Sequence, residues 1–107
     1  MYMNEIKWDD SEKIIARYAF EKAYQNEMKE IQNTTLEMAT NFEEASDVWK
    51  LHYYLTTSRK EINRKYDFRY CQLLDFFSSL ISQNYISESD LLGLSEDKLT
   101  IIRKLIN

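Results

Sequence analysis

The chain has 107 residues, a length that fits one domain with a modest hydrophobic core. Its 14 basic and 18 acidic residues are interleaved and give a net charge of −4, which disfavours binding to nucleic acid or to an anionic membrane surface. Because it contains one glycine and no proline, it lacks the turn residues that β-sheet proteins need, and the composition predicts an all-α protein.

The expected location follows from the same composition. No apolar run approaches the roughly 20 residues that cross a bilayer, and the start MYMNEIKWDDSEK has no apolar core of a signal peptide. The single cysteine, Cys71, lies in an apolar helical pattern, which predicts a small buried side chain rather than a nucleophile. We therefore expect a cytoplasmic protein.

The first predicted helix begins near Asp9, whose side chain can form a capping box with Glu12. No glycine or proline interrupts the chain before Thr40, so the helix is about 30 residues and roughly 45 Å long. A domain of this size has a radius of gyration of only about 13 Å. The helix therefore overhangs its own domain, and a second copy of the chain is the simplest cover for its apolar stripe. The stripe comprises Phe20, Tyr24, Met28, Ile31, Thr35 and Met38.

The second predicted helix follows a break after Thr40 and extends to about Asp67. Either of two pairs can start it, Asn41 with Glu44 or Ser46 with Lys50. One arc of this helix is apolar at 100° per residue and is expected to face the core. The arc contains Leu51, Leu55 and Ile62, with Val48 and Tyr66 at its edge.

Three further helical segments complete the chain. The third helix runs from near Asp67–Tyr70 to Asn84–Tyr85. Its amphipathic stripe consists of Tyr70, Leu73, Leu74, Phe77, Leu80 and Ile81. Ser87 with Asp90 can cap a short turn that Gly93 ends in a left-handed conformation. Ser95 then starts the last helix. The whole chain, 1–107, is predicted as one domain, with the first two helices as a dimerisation arm and the others as a small head.

A surface for contact with another protein is predicted on the second helix, beside its apolar arc. Trp, Tyr and Arg are the residue types enriched at interface hot spots. The patch consists of Trp49, His52, Tyr53, Thr56 and Arg59. The alternative is that Trp49 covers the core and that His52 is solvated without a role.

Catalytic and metal-binding chemistry is disfavoured by residue counts. One histidine and one cysteine cannot build the common zinc sites, and diiron bundles need two Glu-x-x-His motifs. No phosphate-binding glycine loop, GxSxG or CxxC motif occurs. We expect no catalytic residue, no metal and no cofactor. A small helical enzyme or a ligand carrier with a tyrosine-lined pocket is the least favoured alternative.

A family resemblance rests on two sets of residues. The first set is Trp49-Lys50-Leu51-His52, Leu55, Arg59, Glu61-Ile62, Lys65-Tyr66-Asp67 and Arg69. It resembles the central signature of the fluorescence recovery protein family. The second set, Trp8, Phe20-Glu21-Lys22-Ala23-Tyr24 and Glu27, is similar to the first helix of the same family.

The resemblance implies an all-helical, dimeric protein that is not an enzyme. Members of this family bind the photoactivated orange carotenoid protein, chiefly through its C-terminal domain. They speed its return to the orange form, which ends quenching at the phycobilisome. The family's patch of Trp, His, Asp and Arg near the dimer contact is matched here by Trp49, His52 and Arg59. Asp75 and Phe77 are expected contact residues in the head region.

The chain departs from the family pattern at several positions. Tyr53 replaces the acid after the histidine, Arg64 replaces a glycine, and Phe68 replaces another acid. Asp75 stands where family members tend to be apolar. These departures keep a second interpretation open, in which a similar protein of a bacterium without phycobilisomes binds a different protein, for example in a stress response.

Overall fold

The fold is all-helical, as the composition predicted. The computed structural model describes residues 7–106, and no β-strand occurs among them apart from an isolated bridge between Leu92 and Leu94. The α-helices of this part of the chain are α1 (Asp10–Thr40), α2 (Asp47–Lys65), α3 (Leu73–Ser82) and α4 (Glu96–Ile106). Short 3₁₀ turns cover Tyr70–Gln72 and Glu88–Leu91.

Backbone contacts divide the chain into two units. One comprises Met1–Tyr24 and Phe68–Asn107, and we call it the head unit. The other comprises Gln25–Asp67, and we call it the hairpin unit because it contains the second half of α1, a loop and α2. Helix α1 therefore contributes residues to both units.

The capping box predicted at the start of α1 is confirmed. The backbone N–H of Glu12 donates to Asp9 Oδ1 at 2.8 Å, and the N–H of Asp9 donates to Glu12 Oε1 at 3.2 Å. These two bonds satisfy N–H groups that have no partner inside the helix. The helix has 31 residues, in agreement with the predicted length of about 30.

The hydrophobic core of the protein lies mainly in the head unit. Three alanines on α1, namely Ala16, Ala19 and Ala23, are fully buried, and their small side chains let other segments approach the helix closely. The stripe predicted for the third helix supplies most of the large core residues. The largest fully buried side chains are Phe77, Leu73, Leu74, Leu80, Leu91 and Ile102.

A buried ion pair connects the starts of α1 and α4. The Nζ of Lys98 donates to both carboxylate oxygens of Glu12, at 3.0 and 3.1 Å, and to the carbonyl of Lys7 at 2.6 Å. The backbone N–H of Ser95 donates to Glu12 Oε2 at 2.8 Å. One carboxylate thus caps α1 and binds the segment that precedes α4, and every donor of the ammonium group is used.

The predicted turn signals after α3 are also confirmed. Ser87 and Asp90 form a capping box, and Lys22 donates to Asp90 Oδ1 at 2.7 Å. Gly93 has a φ of +107°, and a Cβ at this position would collide with the side chain of Ile15. The backbone N–H of Lys98 donates to Ser95 Oγ at 3.3 Å, as expected for a residue that starts a helix.

The predicted start of the third helix is wrong by one turn. Tyr70 and Cys71 lie in a 3₁₀ turn, and α3 begins at Leu73. Because a 3₁₀ turn has three residues per turn, the apolar stripe does not continue into it. Cys71 is exposed and not buried, and Tyr70 is 40% exposed.

The predicted core face of α2 is mostly wrong. Ile62 is the one buried side chain between Gln25 and Asp67, whereas Val48 and Leu55 are 48% and 40% exposed. Leu51 and Tyr66 are half-buried. The physical reason is that two helices cover only a narrow side of each other, and the stripe is wider than that side.

The caps predicted for the start of α2 are not the ones that form. Ser46 makes no side-chain cap bond. The Asp47 carboxylate instead accepts hydrogen bonds from the backbone N–H groups of Glu43 and Glu44, at 2.8 and 3.0 Å. An acid inside the first turn thus fixes the loop that precedes the helix.

We expect Glu12→Ala to lower the free energy of unfolding by about 3–5 kcal/mol, because it leaves the Lys98 ammonium buried without its carboxylate. The matched control is Glu21→Ala, which removes only the exposed pair with Arg17 and should cost less than about 1 kcal/mol. Urea unfolding followed by circular dichroism measures both. Equal losses in the two variants would contradict the role given to Glu12.

We also expect the protein to lose stability in acid. Burial by itself raises the pKa of Glu12, but the bonds from Ser95 and Lys98 more than offset this, and the pKa lies below its ordinary value of 4.5. The pKa of Asp90 is likewise lowered, since the bonds from Lys22 and Ser87 outweigh burial. A carboxyl with a lowered folded pKa adds stability above its unfolded pKa and loses that contribution as the pH falls through the folded value.

The free energy of unfolding should therefore decrease as the pH falls below about 4.5. Urea titrations between pH 7 and pH 3 measure this dependence. The Glu12→Gln variant should show a shallower decrease than the wild type, and an identical pH profile in the two proteins would show that Glu12 does not contribute.

Candidate functional site

The five residues predicted as a contact patch lie together on the exposed side of α2. Trp49 and Tyr53 are 69% and 73% exposed. His52, Thr56 and Arg59 are exposed as well. The rings of Trp49 and His52 meet edge to face, with their centroids 6.1 Å apart. Large aromatic side chains with this much exposure are typical of a surface that contacts another protein.

The exposed apolar surface is larger than the sequence indicated. Val48 and Leu55, which the pattern placed in the core, are exposed on the adjoining side of the same helix. We call the combined surface the α2 face, and it consists of Val48, Trp49, His52, Tyr53, Leu55, Thr56 and Arg59. Exposed apolar side chains grouped in this way are typical of interaction surfaces.

The charged side chains of α2 differ in whether they are paired. Lys50 lies 3.3 Å from Asp47, and Arg64 donates to Glu61 at 2.6 Å. Arg59 makes no ion pair with any residue between 7 and 106. Its guanidinium is therefore available to a carboxylate of another chain, for which it offers a planar set of donors.

A polar contact at the end of α2 was not predicted from the sequence. Glu27 Oε1 accepts a hydrogen bond from Lys65 Nζ and another from Tyr66 Oη, both at 2.8 Å. Glu27 lies on α1, nearly 40 residues before its partners, at a separation of 38 and 39 positions. No local pattern reveals such a pair, although all three residues belong to the sets that carry the family resemblance.

A groove lies between the two helices of the hairpin unit. Its volume is about 570 Å³, and it is open to solvent along its length. Its lining includes Tyr53, Tyr54, Ile31, Met38, Glu30 and Lys50. A ligand carrier would need an enclosed pocket lined by tyrosines, which this groove is not.

The two residues predicted as head-region contacts have different environments. Asp75 is exposed in the first turn of α3 and can reach another molecule. Phe77 is 0% exposed and belongs to the core, so its prediction as a contact residue is wrong. The physical reason is its position on the apolar stripe of α3, which faces the core.

The departure from the family pattern at Phe68 is absorbed within the head unit. Its ring meets Phe20 edge to face at 5.0 Å between centroids. The Arg17 guanidinium lies 3.9 Å above the ring of Phe68, a cation–π contact. A large aromatic residue therefore fits this position, and the departure does not disturb the fold.

Two kinds of feature are absent from residues 7–106. No group of three or more His, Cys, Asp and Glu side chains is arranged to hold a metal ion there. No helix in the same part of the chain is long and apolar enough to cross a membrane.

Known proteins match this chain over nearly its full length. The family profile described as photoprotection regulator fluorescence recovery protein matches residues 8–106. The fluorescence recovery protein of Synechocystis sp. PCC 6803 is 33% identical over 101 residues, which cover 94% of this chain and 93% of that protein.

Solved structures show the same relation. The fluorescence recovery protein of Fremyella diplosiphon has a TM-score of 0.85 and 38% identity, over 92% of this chain and 97% of that one. The Synechocystis sp. PCC 6803 structure has a TM-score of 0.86 and 32% identity over the same shares. Sequence profile, sequence identity and fold agree, and the chain belongs to the fluorescence recovery protein family.

Proposed function

We propose that this chain is a non-catalytic, homodimeric regulator that binds the photoactivated orange carotenoid protein. It accelerates the return of that protein to its orange dark form and so ends quenching at the phycobilisome. The partner surface is the C-terminal domain of the orange carotenoid protein. The observation that carries the proposal is the α2 face, because it presents Trp49, His52 and Arg59 of the family signature, all of them exposed.

The mechanism that we propose is a shift of populations. A regulator that prefers the conformation on the way back to the orange form lowers the barrier to that form without being consumed. This role needs an exposed binding surface and no reactive group. The α2 face supplies such a surface, and the protein then acts in the cytoplasm as one domain over residues 1–107, without metal or cofactor.

Homodimer formation is supported by the thin core of the hairpin unit. Only Ile62 is buried between Gln25 and Asp67, and residues 7–106 leave the apolar side chains of the α2 face 40–73% exposed. A second copy covers them, and Trp49 then lies at or beside the contact. A stable dimer of this kind buries at least about 1,200 Å² in total.

One observation favours a second candidate function. Tyr53 stands where the family pattern has an acid, and it is the most exposed aromatic residue of the α2 face. The α2 face thereby carries no carboxylate, and Arg59 has no ion-pair partner among residues 7–106. A protein with the same dimeric fold but a different protein partner, in a bacterium without phycobilisomes, would show this combination, and a role in a stress response is one form of it.

We expect Arg59→Glu to weaken contact with other chains by about tenfold or more and to leave the helix content unchanged, because the side chain is exposed. Light scattering at about 10 μM measures the mass, which should be that of a dimer for the wild type. Lys104→Glu, the same kind of charge reversal at an exposed position on α4 in the head unit, is the control and should retain the wild-type mass. A monomeric wild type would contradict the proposed homodimer.

The red-to-orange recovery of an orange carotenoid protein in the dark tests the proposed function. The wild type should accelerate this recovery, but less than a cyanobacterial family member does, because Tyr53 replaces the acid. Tyr53→Asp should restore part of the difference, and Tyr18→Asp, the same substitution at an exposed tyrosine of the head unit, is the control. No acceleration by the wild type or by Tyr53→Asp would favour the second candidate function.

A further inference from the structure

The orientation of α2 in the hairpin unit is not fixed by a packed core. Of its side chains that point toward α1, only Ile62 is buried, and Leu51, Tyr54 and Ser58 are half-buried. A core of many interlocking side chains holds helices in one rotation, whereas a few partly exposed contacts allow several. The rotation of α2 about its own axis therefore needs a further constraint, which decides the side of the helix that faces solvent.

The structure shows polar contacts at both ends of the hairpin. At the loop end, the Asp47 carboxylate accepts the N–H groups of Glu43 and Glu44 and fixes where α2 begins. At the open end, Glu27 Oε1 accepts from Lys65 Nζ and from Tyr66 Oη. The second of these two contacts joins the end of α2 to the opposite helix.

The contact with Glu27 is well placed to restrict rotation. Lys65 is the last residue of α2, and Tyr66 caps it by donating its backbone N–H to the carbonyl of Ile62. One carboxylate oxygen thus holds two consecutive side chains at the helix end, and a rotation of α2 would break both bonds. Glu27, Lys65 and Tyr66 are all half-buried, so water replaces these bonds less readily than at an open surface.

We propose that Glu27 is a positioning residue that sets the rotation of α2 and thereby the direction in which the α2 face points. It lies outside the α2 face and acts through Lys65 and Tyr66. One consequence rests on the proposed function: loss of Glu27 weakens the contact of the α2 face with a second chain. The effect of Glu27 on the rotation of α2 concerns the hairpin unit alone and does not depend on that function.

The test measures the distance between the two helices in the full chain. Cysteines replace the exposed Lys29 on α1 and Lys60 on α2, in a Cys71→Ser background, and carry spin labels. Dilution with unlabelled protein leaves only distances within one chain. The wild-type background should give one narrow distance distribution by pulsed electron spin resonance.

Four variants separate positioning from simple loss of a charge. Glu27→Gln keeps the size but loses the charge, and it should broaden the distance distribution. The exchanged pair Glu27→Lys with Lys65→Glu should narrow it again. Tyr66→Phe, which removes one of the two bonds, should broaden it less, and Glu37→Gln, an exposed position on the same helix, should leave it unchanged.

The same variants without labels are then compared for self-association by sedimentation. We expect Glu27→Gln to weaken it on the order of tenfold and the exchanged pair to recover most of the loss. An unchanged distance distribution in Glu27→Gln, or a broadened one with self-association intact, would overturn the inference. A monomeric wild type would refute the proposed homodimer, while the distances would still decide whether Glu27 fixes the rotation of α2.

Discussion

Two helices can bury only one side of each other, and this constraint shapes the part of the protein that we assign to function. In the hairpin unit, α2 rests on α1 through a narrow contact with Ile62 at its centre. The apolar side chains beyond that contact stay in water, at an energetic cost that their burial against another chain removes. This uncovered surface is the physical basis of the association that we propose.

The head unit follows a different principle. Its core is closed, with fully buried residues from α1, α3 and α4, and it also contains a charge network. The Glu12 carboxylate takes part in the cap of α1 and in the bonds from Ser95 and Lys98, so three segments depend on one side chain. A buried ion pair with all its hydrogen bonds made contributes little net stability. It contributes structural specificity, because any other arrangement leaves a charge unpaired.

Two departures from the family pattern have different surroundings. Phe68, in the head unit, is accommodated by neighbouring aromatic rings and by Arg17. Tyr53, on the α2 face, is 73% exposed and contacts mainly solvent among residues 7–106. We therefore expect this departure to affect contacts with other molecules rather than the fold.

The sequence by itself determined the helical class, the length of α1, its capping box and the turn around Gly93. These features depend on residues close together in the chain, where spacing and side-chain type decide the outcome. The sequence also determined that the patch residues would share one side of a helix, namely Trp49, His52, Tyr53, Thr56 and Arg59.

The tertiary structure alone decided which apolar residues are covered. The same periodicity that placed Phe77 correctly in the apolar stripe of α3 placed Leu55 wrongly in a core, because periodicity gives a direction and does not show whether another element lies there. The bond between Glu27 and Lys65 joins residues far apart in sequence, and only the folded hairpin brings them within 2.8 Å. Local sequence patterns determine which side chains share a face of a helix. Packing between helices decides which of those faces stay exposed.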